Sequence, residues 1–232
     1  MRPGLYAAAM RDRIRIRPKP ISRSHPSRRG LLLAGLAVPL GGVILAGSAQ
    51  AAADPNAAIR FIDSLGQQTL GILNQPQPLA QREAQLREVL RQGFDLAFIG
   101  RFVLGRPYAS MSPEQAADYH QAFNDFVLRT YARRLSGFQA RSFAILGARA
   151  AGDTDTEVST RIDPANGQPV RCDWRVRQTD QRLGIIDVAV ENVSMAVTQR
   201  NEFASVITTG GVNGLIGTLR ARTDRETVSV SR

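Results

Sequence analysis

Between Pro55 and Leu135 the apolar residues recur at intervals of three and four, and after Gly137 they recur at intervals of two. The first spacing is that of an amphipathic helix and the second that of a half-buried strand. Asp54-Pro55 predicts a helix start, with aspartate as cap and proline in the first helical position. Ile59, Ile62, Leu65, Leu70 and Leu73 form its apolar face, and Asn74-Gln75-Pro76-Gln77-Pro78 ends it. A second helix starts near Leu79, using Leu86, Val89 and Leu90, and Gly93 bends the chain after it. Ser112-Pro113-Glu114-Gln115 predicts a further start: serine caps, proline follows, and Gln115 stands where a capping box places Glu or Gln. The helix beyond it sets Tyr119, Phe123, Phe126, Val127 and Tyr131 on one stripe.

In the second half, Val158, Thr160 and Ile162 alternate with Glu157, Ser159 and Arg161. Pro164-Ala165-Asn166-Gly167 predicts a hairpin turn. The next strand puts Val170, Cys172, Trp174 and Val176 on one face and Arg171, Asp173, Arg175 and Arg177 on the other. Thr179-Asp180-Gln181 turns the chain again, and Leu183 to Thr198 reads as one long strand bulged near Glu191-Asn192. A last helix is expected from about Asn201, through Gly210-Gly211, to Leu219. Helices followed by an antiparallel sheet make an α+β fold, with the N-terminal helices and the C-terminal helix covering one face of the sheet. The apolar stripes fit a filled core, the commoner outcome for such stripes, or an apolar pocket, and periodicity does not distinguish the two.

The chain begins with a segment of different character. Leu31 to Gly47 carries no charge, a basic stretch from Arg13 to Arg29 precedes it, and Ala49-Gln50-Ala51 follows it. Basic, apolar and small-residue regions in that order mark residues 1–51 as a cleavable signal peptide, cut near Ala51. The mature domain is then 52–232, in the periplasm. An apolar run of 17 residues, interrupted by Pro39 and four glycines, is short for a permanent membrane span. Ser27-Arg28-Arg29-Gly30-Leu31-Leu32-Leu33 is close to the twin-arginine export signature. Such pairs occur in ordinary leaders too, so both export routes stay open, and Met10 offers a second start.

Removing this segment changes the electrostatics. Residues 1–51 hold nine of the 30 basic residues and one of the 20 acidic ones, which leaves 52–232 at a net charge of +2 rather than +10. The basic balance of the whole chain therefore does not argue for a nucleic-acid partner.

Composition limits the chemistry. Beyond residue 51 there is one cysteine, Cys172, one histidine, His120, and no lysine. No internal disulfide forms, a His-Cys zinc site lacks ligands, and Schiff-base chemistry has no amine. Catalytic residues, a metal site and a cofactor are not expected. His120, amid helical sequence, reads as a partly exposed structural residue. The remaining enzymatic alternative is a small α+β pocket with a buried carboxylate, for which Asp95 and Asp187 are the candidates.

A family resemblance runs through the mature chain. Asp173-Trp174-Arg175-Val176-Arg177, Ile186-Asp187-Val188, Val193-Ser194 and Gln199-Arg200-Asn201-Glu202-Phe203-Ala204-Ser205-Val206-Ile207 resemble, in that order, segments of the MlaC family of periplasmic phospholipid-binding proteins. Phe94-Asp95, Val103-Leu104-Gly105, the stripe with Phe123 and Tyr131, and Gly210-Gly211-Val212-Asn213-Gly214-Leu215 agree. Tyr108 departs from the pattern, since members often carry tryptophan after the Leu-Gly pair. The resemblance implies a curved sheet and a helical layer enclosing an apolar pocket for acyl chains. It implies a soluble carrier of phospholipid between an outer-membrane lipoprotein complex and an inner-membrane ABC transporter bearing an MCE-domain protein. A related branch makes a hopanoid or other polycyclic lipid an alternative cargo. The residues expected to contact lipid are Phe94, Phe98, Phe102, Phe123, Phe126, Val127, Tyr131, Val158, Trp174, Val176, Val188 and Met195. The arginine face of Arg171, Arg175 and Arg177 is either a headgroup or partner surface or a solvated sheet face.

Overall fold

Local capping sets most of the helix starts. In the computed structural model, which describes residues 54–179 and 182–228, the Asp54 side chain accepts a hydrogen bond from the Asn56 amide at 3.1 Å and opens α1, Pro55–Asn74. The α2 helix spans Leu79–Gly93, and α3, Leu96–Leu104, is capped by Asp95 through the Phe98 amide at 2.9 Å. After a 3₁₀ turn at Arg106–Ser110, Ser112 caps α4, Pro113–Ser136, through the Gln115 amide at 3.1 Å. Only half of the expected capping box forms. The Gln115 side chain donates to Asn213 Oδ1 at 2.8 Å, tying the start of α4 to the last helix. The segment 1–51 expected to be a signal peptide lies outside the described residues, all of which fall within one compact unit.

The strands form an antiparallel meander in the order β1 (Ala140–Ala150), β2 (Asp155–Pro164), β3 (Val170–Thr179), β4 (Arg182–Val190) and β5 (Val193–Ser194). Val158 stands opposite Trp174 and Trp174 opposite Val188, so the alternating apolar residues of three strands share one face. The long final strand expected from Leu183 to Thr198 does not form. Glu191 and Asn192 adopt φ of 48° and 65°, a two-residue turn that folds β5 back on β4, and helix α5 begins at Met195. The bulge lies upstream instead: Arg175 pairs with Asp187 and Val176 with Ile185, leaving Ile186 as the extra residue. Helix α5 (Met195–Val228) is broken at Gly211, whose φ of 62° and ψ of −169° lie outside the helical region.

The free edge of β4 is protected by the α2–α3 junction, where Phe94 bridges to Ile185 and the Asp95 amide donates to the Ile185 carbonyl at 2.9 Å. Three apolar clusters result. One joins α3, α4 and α5 around Tyr119, Phe123, Phe203 and Leu219. The second packs Ala58 and Ile62 of α1 on Val158, Val176 and Ile185. The third closes Leu73, Leu86 and Ala132 between α1, α2 and α4. Helix α4 packs on α2 and α5, and α1 packs on β1 and β2. Between α4 and the inner face of β3 and β4 the layers stand apart.

Candidate functional site

The gap between those layers is a cavity of about 330 Å³. Helix α1 contributes Ile62, Leu65, Gly66, Thr69, Leu70 and Leu73, spacings of three and four that keep them on one side of the helix. Helix α4 contributes Phe123, Val127, Tyr131 and Leu135, a row of every fourth residue. Val89, Leu90, Phe94, Leu96, Ile99 and Val103 close the α2–α3 side. The floor is Phe143, Ile162, Trp174, Ile185, Ile186, Val188 and Val190 of the sheet, and Met195, Ala196 and Gln199 of α5 complete the wall. The bulge at Ile186 brings Ile185, Ile186 and Val188 to the same lining, which strict alternation does not allow.

The few polar groups in this wall are mostly engaged. Trp174 Nε1 donates to Thr160 Oγ1 at 2.8 Å, so the indole offers the cavity its carbon surface. Thr69 Oγ1 donates to the Leu65 carbonyl at 2.8 Å. Asp187, one of the two carboxylates considered for a pocket enzyme, accepts from Ser194 Oγ at 2.5 Å and from the Ala196 amide at 3.0 Å, anchoring the first turn of α5. Asp95, the other, caps α3. Gln199 Nε2 donates to the Glu202 carboxylate at 3.3 Å, which leaves Tyr131 as the exception. Burial pushes the Tyr131 hydroxyl above its ordinary pKa, with Arg134 opposing the shift and Glu202 adding to it, so the hydroxyl stays protonated at neutral pH. Among the described residues no group of three or more His, Cys, Asp or Glu is placed to hold a metal ion.

Seven of the twelve residues expected to contact lipid line the cavity: Phe94, Phe123, Val127, Tyr131, Trp174, Val188 and Met195. Five do not. Phe98 and Phe102 stack at 6.5 Å between centroids, with the Arg177 guanidinium 4.5 Å from the first ring and that of Arg200 5.2 Å from the second, and Phe102 packs against the α3–α4–α5 cluster. A guanidinium over each half-exposed ring covers it without the cavity. Phe126 packs in the α3–α4–α5 cluster, one residue and so a quarter-turn away from Val127, which faces the cavity. Val158 and Val176 are fully buried in the cluster beneath α1, where sheet and helix are in direct contact. The α1 row and Phe143 were not expected at the cavity. Their apolar spacing was legible, but not the side of the sheet on which the layers part.

The arginine face is engaged within the chain. Arg175 and Arg177 hold Asp155 at 2.6 Å each, and Arg171 pairs with Asp173 at 3.1 Å. His120 is half-buried, away from the cavity, against Gly100, with its Nε2 3.1 Å from the Tyr108 hydroxyl. Burial, reinforced by Arg101, lowers its pKa, which keeps the ring neutral at pH 7.

Fold and site together define an α+β protein built around an almost wholly apolar chamber. A model of the MlaC protein family matches residues 63–221, and the chain belongs to that family. It is also similar to the crystal structure of a phospholipid-binding protein from Ralstonia solanacearum in complex with a phospholipid: 26% identity, TM-score 0.65, covering 75% of this chain and 99% of that one.

Proposed function

We propose that this protein is a phospholipid carrier that encloses acyl chain in the cavity between α4 and the sheet. The observation that carries the reading is the chemistry of the wall: apart from Tyr131, its polar groups are engaged within the protein, and its volume of about 330 Å³ lies in the range of small-ligand pockets. Such a surface rewards the burial of hydrocarbon and offers no nucleophile. A chain of ~16 carbons gains roughly 13 kcal/mol gross on leaving water, at about 0.8 kcal/mol per CH₂. A lipid starts in a bilayer, however, where its chains are already out of water. Transfer into an equally apolar chamber is close to neutral, which suits loading at one membrane and unloading at another. Direction then comes from the docking partners.

The same reading assigns the protein to the periplasm after cleavage near Ala51. It would move between an outer-membrane lipoprotein complex and an inner-membrane ABC transporter with an MCE-domain subunit. None of the helices among the described residues is long and apolar enough to cross a membrane. Organic extraction of the purified protein followed by mass spectrometry tests the carrier reading. Near-stoichiometric phospholipid supports it, a polycyclic lipid in its place assigns the hopanoid alternative, and lipid-free protein that takes none from vesicles overturns it. Cell fractionation checks the compartment.

A further inference from the structure

Phe98, Arg101, Phe102 and Gly105 follow one another at spacings of three and four, so they share one side of α3 and its C-cap. Arg200, in the second turn of α5, lies across that side. Its guanidinium stands 5.2 Å from the centre of the Phe102 ring, and a β-carbon at Gly105 would fall 3.2 Å from its Nη2. Glycine at 105 therefore serves twice: its φ of 70° favours glycine, and its missing side chain leaves room for the guanidinium. A neighbouring pair shows the same arrangement completed. Arg177 stands 4.5 Å from the centre of the Phe98 ring and holds the Asp155 carboxylate at 2.6 Å. Arg200 has the ring, but among the described residues no carboxylate lies within 4.0 Å of it. The same is true of the exposed Arg101, one turn before Gly105, and of the exposed Arg106, directly after it. Val197, one turn before Arg200, is 46% exposed and sets apolar surface beside these cations.

We infer that Arg101, Arg106 and Arg200 form a docking surface for an acidic segment of a partner protein. Its carboxylates pair with the guanidinia, as Asp155 pairs with Arg177, and an apolar side chain beside them packs on Val197. The arginine fork matches a carboxylate bidentately, and a guanidinium already held between a ring and a backbone loses little freedom on pairing. That restraint favours a protein carboxylate over an anionic bilayer. Lipid phosphates are mobile and are met equally well by unrestrained cations, whereas a fixed donor gains most from a fixed acceptor. Nothing in this surface depends on what the cavity holds.

The test is fluorescence anisotropy at low ionic strength, with a fluorescein-labelled peptide of repeating Glu-Glu-Leu as the probe. Wild-type protein is expected to bind it, and added salt to weaken the binding. Arg200→Gln lowers the affinity about two- to fivefold, the scale of one exposed ion pair. Arg60→Gln removes the same charge from an exposed position on α1 and leaves the affinity unchanged. Phe102→Leu keeps every charge but releases the guanidinium, and it lowers the affinity in the same direction. A thermal melt confirms that this variant folds, and Arg200→Gln, at an exposed position, carries the test without it. Equal losses in Arg200→Gln and Arg60→Gln reduce the effect to net charge and overturn the docking surface. Wild-type protein that leaves the peptide unbound overturns it too. If that protein sediments instead with phosphatidylglycerol vesicles, and Arg200→Gln abolishes this, the surface belongs to a membrane. The carrier reading stands or falls separately, on lipid extraction.

Discussion

The backbone of Gly66 rests against the ring of Phe143: a β-carbon at position 66 would fall 2.4 Å from the ring's Cε1. This contact seats α1 on β1, and both residues line the cavity. Gly66→Ala forces the ring aside, and overpacking of this kind costs about 1–3 kcal/mol, more than the ~1 kcal/mol that alanine returns in helix propensity. Gly71, in the same helix, has open space where a side chain would go. Urea denaturation is therefore expected to show Gly66→Ala destabilised and Gly71→Ala stabilised by about 0.5–1 kcal/mol. Lipid retention falls only in the first.

Asp155 is fully buried on the sheet face opposite α1, held by Arg177 and Arg175. Burial alone would raise its pKa, but the hydrogen bonds from the two guanidinia outweigh it and hold the carboxyl below its ordinary 3.8. A depressed folded-state pKa means stabilisation that is complete above 3.8 and is lost as pH falls through the folded value. Asp155→Asn is expected to cost about 2–4 kcal/mol at pH 7, less than a fully buried pair because both arginines keep contact with water. Denaturation curves of wild type and variant should converge on acidification below 3.8, and a gap that persists there contradicts the assignment.

Truncations separate the filled core from the chamber. Phe203, which meets Phe123 edge-on with 6.3 Å between centroids, is enclosed on all sides, so Phe203→Ala is expected to cost about 3–5 kcal/mol. Phe138 borders the cavity and is half-exposed, so Phe138→Ala should cost less than half as much. Val127→Trp, projecting from α4 into the chamber, should leave the far-ultraviolet circular dichroism intact and reduce co-purified lipid severalfold.

The buried Cys172 thiol is pushed up to about 11, first by burial and then by Asp173 and Glu191. At pH 8 roughly one thiol in a thousand is ionised. Maleimide should leave the native protein unlabelled over the time in which the urea-unfolded chain reacts stoichiometrically.

Several features of this fold were open to reading in the chain itself. Caps at Asp54 and Ser112 were legible because a short acceptor followed by proline serves few other purposes. The two faces of β3 were legible because Val170 to Arg177 alternates without interruption. The end of β4 was not. A turn at Glu191-Asn192 requires two successive left-handed residues, and only the pairing of Val190 with Val193 reveals that they adopt it. Nor was the bulge at Ile186, which depends on the register held by β3.

The same division runs through the site. The sequence by itself determined which residues avoid water, and therefore the helical and extended elements and the apolar faces they carry. What those faces meet was decided only by the tertiary structure. Val176 and Trp174 are two residues apart on one face of one strand, yet Val176 lies under α1 and Trp174 opens on the chamber. Phe98 turns away from it, beneath an arginine. A side chain leaves water equally well against a neighbour, under a guanidinium or along the wall of a cavity, so periodicity is blind to the choice. The separation of the layers makes it, and that is set by where α4 packs on α2 and α5 and where α1 comes down on the sheet.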